Sequence, residues 1–335
     1  MVVSFPERAV HGGIGKRQQE KTRKTVLDFS ASVNPSVPQF AWRLDPECLK
    51  YYPDDSYSAL KDRIGKVFHR NPEEICVGNG SVELIRAFCA VRYRDPAIPR
   101  NFFVESPTFG EYELSAALAG ASRVTDPCNG AVQFLCNPNN PTGQLLSRDE
   151  VLTKISAAQE SGSILFCDEA FIELSDPEQS ISDIRDPALF VLRSITKSFA
   201  VPGIRFGYGF GDPDLVLKIE TARTPWCVNA YAEAFAMEAL LHLDELAASR
   251  AAVEKERAFL ASELEALGMK CIPSRANYIL FDCGRNVSPL CEALALRGVL
   301  VRDCTSFGLP TCIRVAVMSR EENRALIEAI TTCVH

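Results

Sequence analysis

Apolar and polar positions alternate along this chain with two periods. Short continuous apolar runs are bounded by polar or glycine-rich turns, and longer stretches with one apolar face lie between them. The runs Ile75 to Val77, Asn101 to Glu105, Val132 to Cys136, Ser163 to Cys167 and Leu189 to Leu192 are too short for buried helices and predict strands. The stretches Ser58 to His69, Val82 to Arg92, Gly110 to Ala119 and Ser147 to Glu160 predict helices, the last with Ser147 as its N-cap. Strand and helix taking turns through the middle of a chain mean a mostly parallel sheet flanked by helices, whose functional groups gather at the strand ends. Residues 1–40, rich in Gly, Pro and Ser, read as a mobile arm leading into one short strand at Val26 to Ser30. Asn229 to Leu267 reads as long helical sequence linking two parts of the molecule. Strand-like pieces follow at Asn277 to Asp282, Val299 to Asp303 and Ile313 to Met318, and a helix from Glu321 to Thr332 closes the chain. The expected organisation is an arm over 1–40, a large domain over 41–240, and a linking helix with a smaller α/β domain over 241–335.

With 335 residues, 47% hydrophobic and 24% charged, the chain can bury a substantial core. The net charge is -7, from 36 Lys and Arg against 43 Asp and Glu, so its arginines are expected to serve small anions and not nucleic acid or an anionic membrane. Thirteen scattered cysteines with no C-x-x-C pair predict reduced, mostly buried thiols, and no metal site is expected. No export signal and no membrane-length apolar run stands in the sequence, from which a soluble, cytoplasmic protein is expected.

Chemistry collects at the turns. Leu189 to Leu192 stops at Arg193, a polar turn carries Ser194, Thr196 and Lys197, and a second apolar run begins near Arg205. A lone lysine is ordinarily a solvated surface charge. At the rim of a buried sheet, with a hydroxyl before it and an arginine after it, it can instead form an imine with an aldehyde cofactor whose phosphate those neighbours hold. Gly78-Asn79-Gly80-Ser81 between a strand and a helix makes an anion site from free backbone N–H groups and the helix dipole. Phe109, or alternatively Tyr112, can lie flat on a cofactor ring. Asn137 to Gly143 is either a tight connection or a source of amide donors. Asp168 ends an apolar strand, where a carboxylate is costly unless something cationic meets it, and a protonated pyridine nitrogen would do so. His11-Gly12-Gly13 fits either a flexible terminus or a backbone that closes on an anion.

Four of these motifs, GNGS, NPNNPTG, DEAF and SITKSF followed by GIRFGY, stand in the order found in pyridoxal-phosphate enzymes of fold type I, and the chain resembles their aminotransferase class I and II group over nearly its whole length. The resemblance implies the cofactor pyridoxal 5'-phosphate, with Lys197 as Schiff-base lysine and Asp168 as partner of the pyridine nitrogen. It implies Asn140 as donor to the ring hydroxyl, and Ser194, Arg205, Gly80, Ser81 and Val82 as the phosphate cradle. Phe109 becomes the stacking ring, and Tyr52 a reach into the neighbouring subunit of a homodimer. Arg314 matches the substrate-anion arginine, with Arg302, His11, Gly12 and Gly13 as further substrate contacts and Asn34 and Arg275 as weaker candidates.

Two subgroups compete: histidinol-phosphate aminotransferases and the L-threonine-O-3-phosphate decarboxylases of cobalamin biosynthesis. The second resemblance is carried by HGG, LDFSASVNP, DEAF and Pro225 to Ala234, with Ser274 to Leu280 and Val301 to Cys304 behind them. Phe171 stands where aminotransferases of the group usually have Tyr, whereas Ser32 stands where the decarboxylase pattern usually has Asn. The expected partner is a small phosphorylated amino acid.

Overall fold

A computed structural model of the protein describes residues 5–22 and 25–334. The parts of the predicted arm at residues 1–4 and 23–24 lie outside the described residues. Thirteen strands form three sheets among the described residues. In chain order they are β1 (Leu27–Asp28), β2 (Ile75–Gly78), β3 (Asn101–Val104), β4 (Ser122–Val124), β5 (Val132–Cys136), β6 (Ile164–Asp168) and β7 (Leu189–Arg193). There follow β8 (Gly207–Phe210), β9 (Lys270–Cys271), β10 (Tyr278–Asp282), β11 (Val299–Leu300), β12 (Arg302–Asp303) and β13 (Cys312–Ala316).

The main sheet has seven strands in the order β2-β8-β7-β6-β5-β3-β4. β7, β6, β5, β3 and β4 run parallel, and β8 runs antiparallel to both its neighbours. Side chains alternate across it as a pleat demands. Phe166, Phe190 and Leu192 pack on one face with Leu84, Phe88, Tyr112 and Ile219. Leu165, Cys167 and Val191 pack on the other with Leu60, Ile64, Val151 and Ile155. Helices therefore cover both faces, and the ends of β5, β6 and β7 open onto one edge. The helix Arg148–Glu160 starts where predicted: the Ser147 hydroxyl accepts from the Glu150 N–H, and Glu150 reaches back to the Ser147 N–H.

A third cluster forms around the four-stranded sheet β12-β13-β10-β9 and takes in Phe29 from the start of the chain. Three expectations are corrected here. The arm, expected as mobile chain leading into one short strand, also contains the helix Gly15–Thr22. The helical stretch after Asn229 breaks into Ala230–Ala239 and Leu246–Ala266, because the chain turns at His242, whose ring bonds Glu238 on one side and Glu245 on the other. The apolar piece Val299 to Asp303 serves two sheets: Val299 and Leu300 pair in parallel with β1, while Arg302 and Asp303 pair with β13. All thirteen cysteines are free, with Cys48 and Cys128 exposed and the others buried or partly so.

Candidate active site

The ends of the parallel strands surround a cavity of about 520 Å³. Lys197 lines it from the turn after β7, and Asp168, the last residue of β6, lines it from the floor. Cys136 and Asn140 reach it from β5 and the turn that follows. Ser81 and Val82 open the helix Ser81–Arg92 beside Arg205, and Phe109 lies along another wall. The arm residues His11, Gly12 and Gly13 and the C-terminal residues Arg302 and Arg314 close the far side.

Burial first, then the charges of Arg314 and Arg205, lower the Lys197 amine from 10.5 to about 8, so a neutral, nucleophilic fraction is present near neutral pH. Burial acts on Asp168 in the opposite sense and raises its carboxyl from 3.8 to about 6, against two hydrogen bonds that favour the ionised form. Those bonds come from the Tyr112 hydroxyl to Oδ2 at 2.8 Å and from the Ala170 N–H to Oδ1 at 2.9 Å. Behind the lysine turn, Arg193 is buried between Glu169 at 2.8 Å and Glu173, and Ser180 accepts from the same guanidinium at 2.8 Å. This network ties β7 to the segment after Asp168.

Arg205 sits where a glycine admits it: a Cβ at Gly80 would lie 2.1 Å from its Nη2. Arg314 donates to the Asn140 side-chain oxygen and, at 3.0 Å, to the Ser30 carbonyl. Asn140 is thereby oriented with its amide nitrogen left to donate elsewhere. Arg302 donates to the carbonyls of Asp303 and Val10 at 2.7 and 2.8 Å and to the Ser306 hydroxyl at 2.6 Å. The arm is clasped from several sides. His11 Nε2 meets Glu111 at 2.7 Å, the Gly13 N–H donates to Ser30 Oγ at 2.8 Å, and Ser30 in turn bonds Asp28.

Several sequence-derived candidates stand elsewhere. Ser194 is buried behind Thr196, its hydroxyl 2.9 Å from that of Thr196 and 3.3 Å from the Phe206 carbonyl, and it is Thr196 that lines the cavity. Asn34 does not line it either: its amide donates to the Ser198 carbonyl at 2.7 Å and its backbone N–H to the Lys197 carbonyl at 2.9 Å, so it fastens the arm to the lysine turn. Arg275 is exposed, 3.8 Å from Asp176. Tyr112 does not offer its ring face to the cavity but stacks on Phe134 at 5.4 Å, which leaves Phe109 as the ring at the wall. Tyr52 is 77% exposed and stacks on Trp226 at 4.4 Å, outside the cavity. Ser32 lines the cavity, buried, with a hydroxyl that has no partner among the described residues. Phe171 lines it too, edge-on to Tyr278 at 5.1 Å. Sequence reasoning missed the Tyr112 hydroxyl, the Arg193 network and the Glu111 clasp. No local signal marks the Tyr112 hydroxyl, which stands in the first turn of the helix Glu111–Leu118, 56 residues before its partner Asp168. Among the described residues no cluster of His, Cys, Asp and Glu could hold a metal ion, and no helix is long and apolar enough to cross a membrane.

This residue set fits pyridoxal phosphate: an amine of lowered proton affinity, a buried acid for a pyridine nitrogen, and a guanidinium beside a helix N-terminus for a phosphate. The comparisons agree. A family profile described as aminotransferase class I and II matches residues 35–330. A histidinol-phosphate aminotransferase of Symbiobacterium thermophilum is 33% identical, covering 93% of this chain and 92% of that protein. A protein of Caldanaerobacter subterraneus subsp. tengcongensis named for threonine-phosphate decarboxylase is also 33% identical, covering 90% and 88%. The solved histidinol-phosphate aminotransferase of Clostridium acetobutylicum superposes with a TM-score of 0.81 at 26% identity, covering 92% of this chain and 98% of its own. That of Sinorhizobium meliloti, solved with pyridoxal-5'-phosphate, shares the fold with a TM-score of 0.79 at 19% identity, covering 96% and 94%.

Proposed function

Since the chain belongs to the aminotransferase class I and II family and depends on pyridoxal phosphate, we propose that it decarboxylates L-threonine O-3-phosphate to (R)-1-amino-2-propanol O-2-phosphate, for the nucleotide loop of cobalamin. The observation that carries the reading is the pair of arginines on one wall. Arg302 and Arg314 are register partners across β12 and β13, both are buried, and both face the cavity beside His11. Two buried guanidiniums call for two anionic groups on one small substrate, and a phosphorylated amino acid carries a phosphate and a carboxylate. Histidinol phosphate carries only the first, whereas the 2-oxoglutarate of a transaminase carries two carboxylates, so turnover without that acceptor is what separates the readings.

Once bound, the cofactor supplies an electron sink into which a bond perpendicular to its ring can break. The residues decide which bond that is. Arg302, with His11 and the Gly12 backbone, would hold the phosphate tail, Gly13 being fixed by its bond to Ser30, and Arg314 would fix the other anionic end, so that the substrate cannot rotate freely about its α carbon. Phe109 covers one side and excludes water there. Asp168 holds a proton at the pyridine nitrogen, and Asn140 donates from its amide to the ring oxygen. Phe171 offers no hydroxyl at that oxygen. Lys197, once the substrate's nitrogen has displaced it, would be the free amine that accepts the proton given up by the substrate's ammonium group, and would deliver that proton to the α carbon after carbon dioxide leaves. Tyr52 presents its hydroxyl outward, where a second copy of the chain in a homodimer would receive it at its phosphate.

The names of its relatives favour a second reading, transamination of histidinol phosphate. One assay separates the two. Protein supplied with the cofactor and O-phospho-L-threonine should release carbon dioxide with no 2-oxo acid present. Turnover that appears only with histidinol phosphate and 2-oxoglutarate would decide for the second.

A further inference from the structure

We propose that Tyr112 is a positioning residue for the cofactor: through one hydrogen bond it keeps Asp168 ionised and its carboxylate plane fixed against the pyridine nitrogen. The bond runs from the Tyr112 hydroxyl to Asp168 Oδ2 at 2.8 Å, and both side chains are buried where they line the cavity. The donor is itself immobilised. Its ring lies parallel to Phe134 at 5.4 Å and 10°, and Phe109 meets it edge-on at 5.5 Å and 81°. Position along the chain explains the reach: Tyr112 stands in the first turn of the helix Glu111–Leu118, which packs over the end of β3, two strands from β6.

The chemistry has one direction. Burial drives the Tyr112 phenol well above its ordinary range, so it is a donor at every working pH and never a competing anion. Asp168 is pushed up to about 6 by the same burial, and the tyrosine's bond opposes that push. Among the described residues, the other groups that face Asp168 are Glu169, Cys136, Cys167, Tyr278 and the Ala170 N–H. Of these, the N–H is the one further donor, and it occupies the other oxygen. Without the phenol, Oδ2 loses its protein donor, the carboxyl becomes neutral at higher pH, and the cofactor loses its counter-charge.

The inference rests on pyridoxal phosphate occupying this cavity and not on which substrate follows; binding by the wild-type protein checks that premise separately. The test is the dissociation constant of pyridoxal phosphate, followed by fluorescence between pH 5.5 and 8.5. It is measured for wild type, Tyr112→Phe, Asp168→Asn and the double variant. Tyr112→Phe keeps the ring and its packing, and the circular dichroism and melting temperature of the cofactor-free protein check that it folds. A hydrogen bond to a charged group predicts that the pH below which affinity is lost rises by about one unit in Tyr112→Phe. In the Asp168→Asn background, removing the phenol should change affinity by less than about twofold. An unshifted profile, or equal losses in both backgrounds, would show that Tyr112 only packs. Should Tyr112→Phe fail to fold, Phe134→Leu, which loosens the ring and keeps the hydroxyl, must still move the profile upward or the inference fails.

Discussion

Replacing Gly80 by alanine tests the phosphate cradle at its tightest point. Gly80 has φ +82° and ψ 160°, a region that residues with a Cβ avoid at a cost on the order of 1–3 kcal/mol. The new Cβ would lie 2.1 Å from Arg205 Nη2, and ordinary contact begins at 3.4 Å, so the guanidinium must retreat by about 1.3 Å. That atom is the end of a long, solvent-reaching side chain, and its retreat costs the fold little. It costs the cofactor much more, because a charge-assisted bond of about 2.8 Å does not survive such a displacement. Losing one such bond, at roughly 1.5–3 kcal/mol, weakens pyridoxal phosphate binding by about 10- to 150-fold. Gly207→Ala is the control. There the Cβ meets the Ser81 backbone nitrogen at 2.6 Å and the Gly80 carbonyl carbon at 2.9 Å, atoms that cannot swing aside. The two variants should therefore separate: Gly80→Ala melts within a few degrees of wild type but binds cofactor poorly, whereas Gly207→Ala loses stability first. Fluorescence titration and thermal melts of the cofactor-free proteins measure both. Unchanged cofactor affinity in Gly80→Ala would refute the assignment of Arg205 to the phosphate.

Lys197→Met should stabilise the cofactor-free protein in a pH-dependent way. Unfolded, the amine keeps its proton up to 10.5, but folded only up to about 8, so across that window the unfolded chain binds more protons and wild-type stability rises with pH. The variant's gain should fall from roughly 3 kcal/mol at pH 7 to about 1.4 at pH 9.5, checked by urea melts at both. The same variant should lose the yellow, borohydride-bleached absorbance of the wild-type protein with its cofactor. Phe171→Tyr, which puts a hydroxyl beside the cofactor, should shift the ratio of carbon dioxide release to amino transfer toward transfer, read by product analysis with 2-oxoglutarate present. Arg193→Met leaves Glu169 and Glu173 buried without their cation and should destabilise the fold by about 3–5 kcal/mol in urea melts.

The sequence made the middle of the molecule legible because apolar runs and turns alternate there and each run is a strand that is wholly or alternately buried. Asp168 was legible for a related reason, since an acid closing such a run needs a partner. Its partner within the protein was not, because the Tyr112 hydroxyl arrives from 56 residues away. Arg193 also closes an apolar run, and nothing local distinguishes it from a surface charge; only the fold brings Glu169 and Glu173 to it. Asn34 looked available because its motif adjoins the site, but its amide is taken up by the Ser198 carbonyl. Val299 to Asp303 read as one strand because periodicity reports burial and not the identity of the neighbour, and here the neighbour changes at Val301.

That change of neighbour has a mechanical meaning. One five-residue segment grips the first strand of the chain with its front half and carries Arg302 into register with Arg314 in its rear half. The same Arg302 holds the Val10 carbonyl, next to His11. The residues proposed to hold the substrate thus meet at one segment, while those proposed to hold the cofactor stand on the large sheet, and the Arg314 to Asn140 hydrogen bond joins the two groups. A lineage could recut the first group for a new metabolite and leave the second as it was.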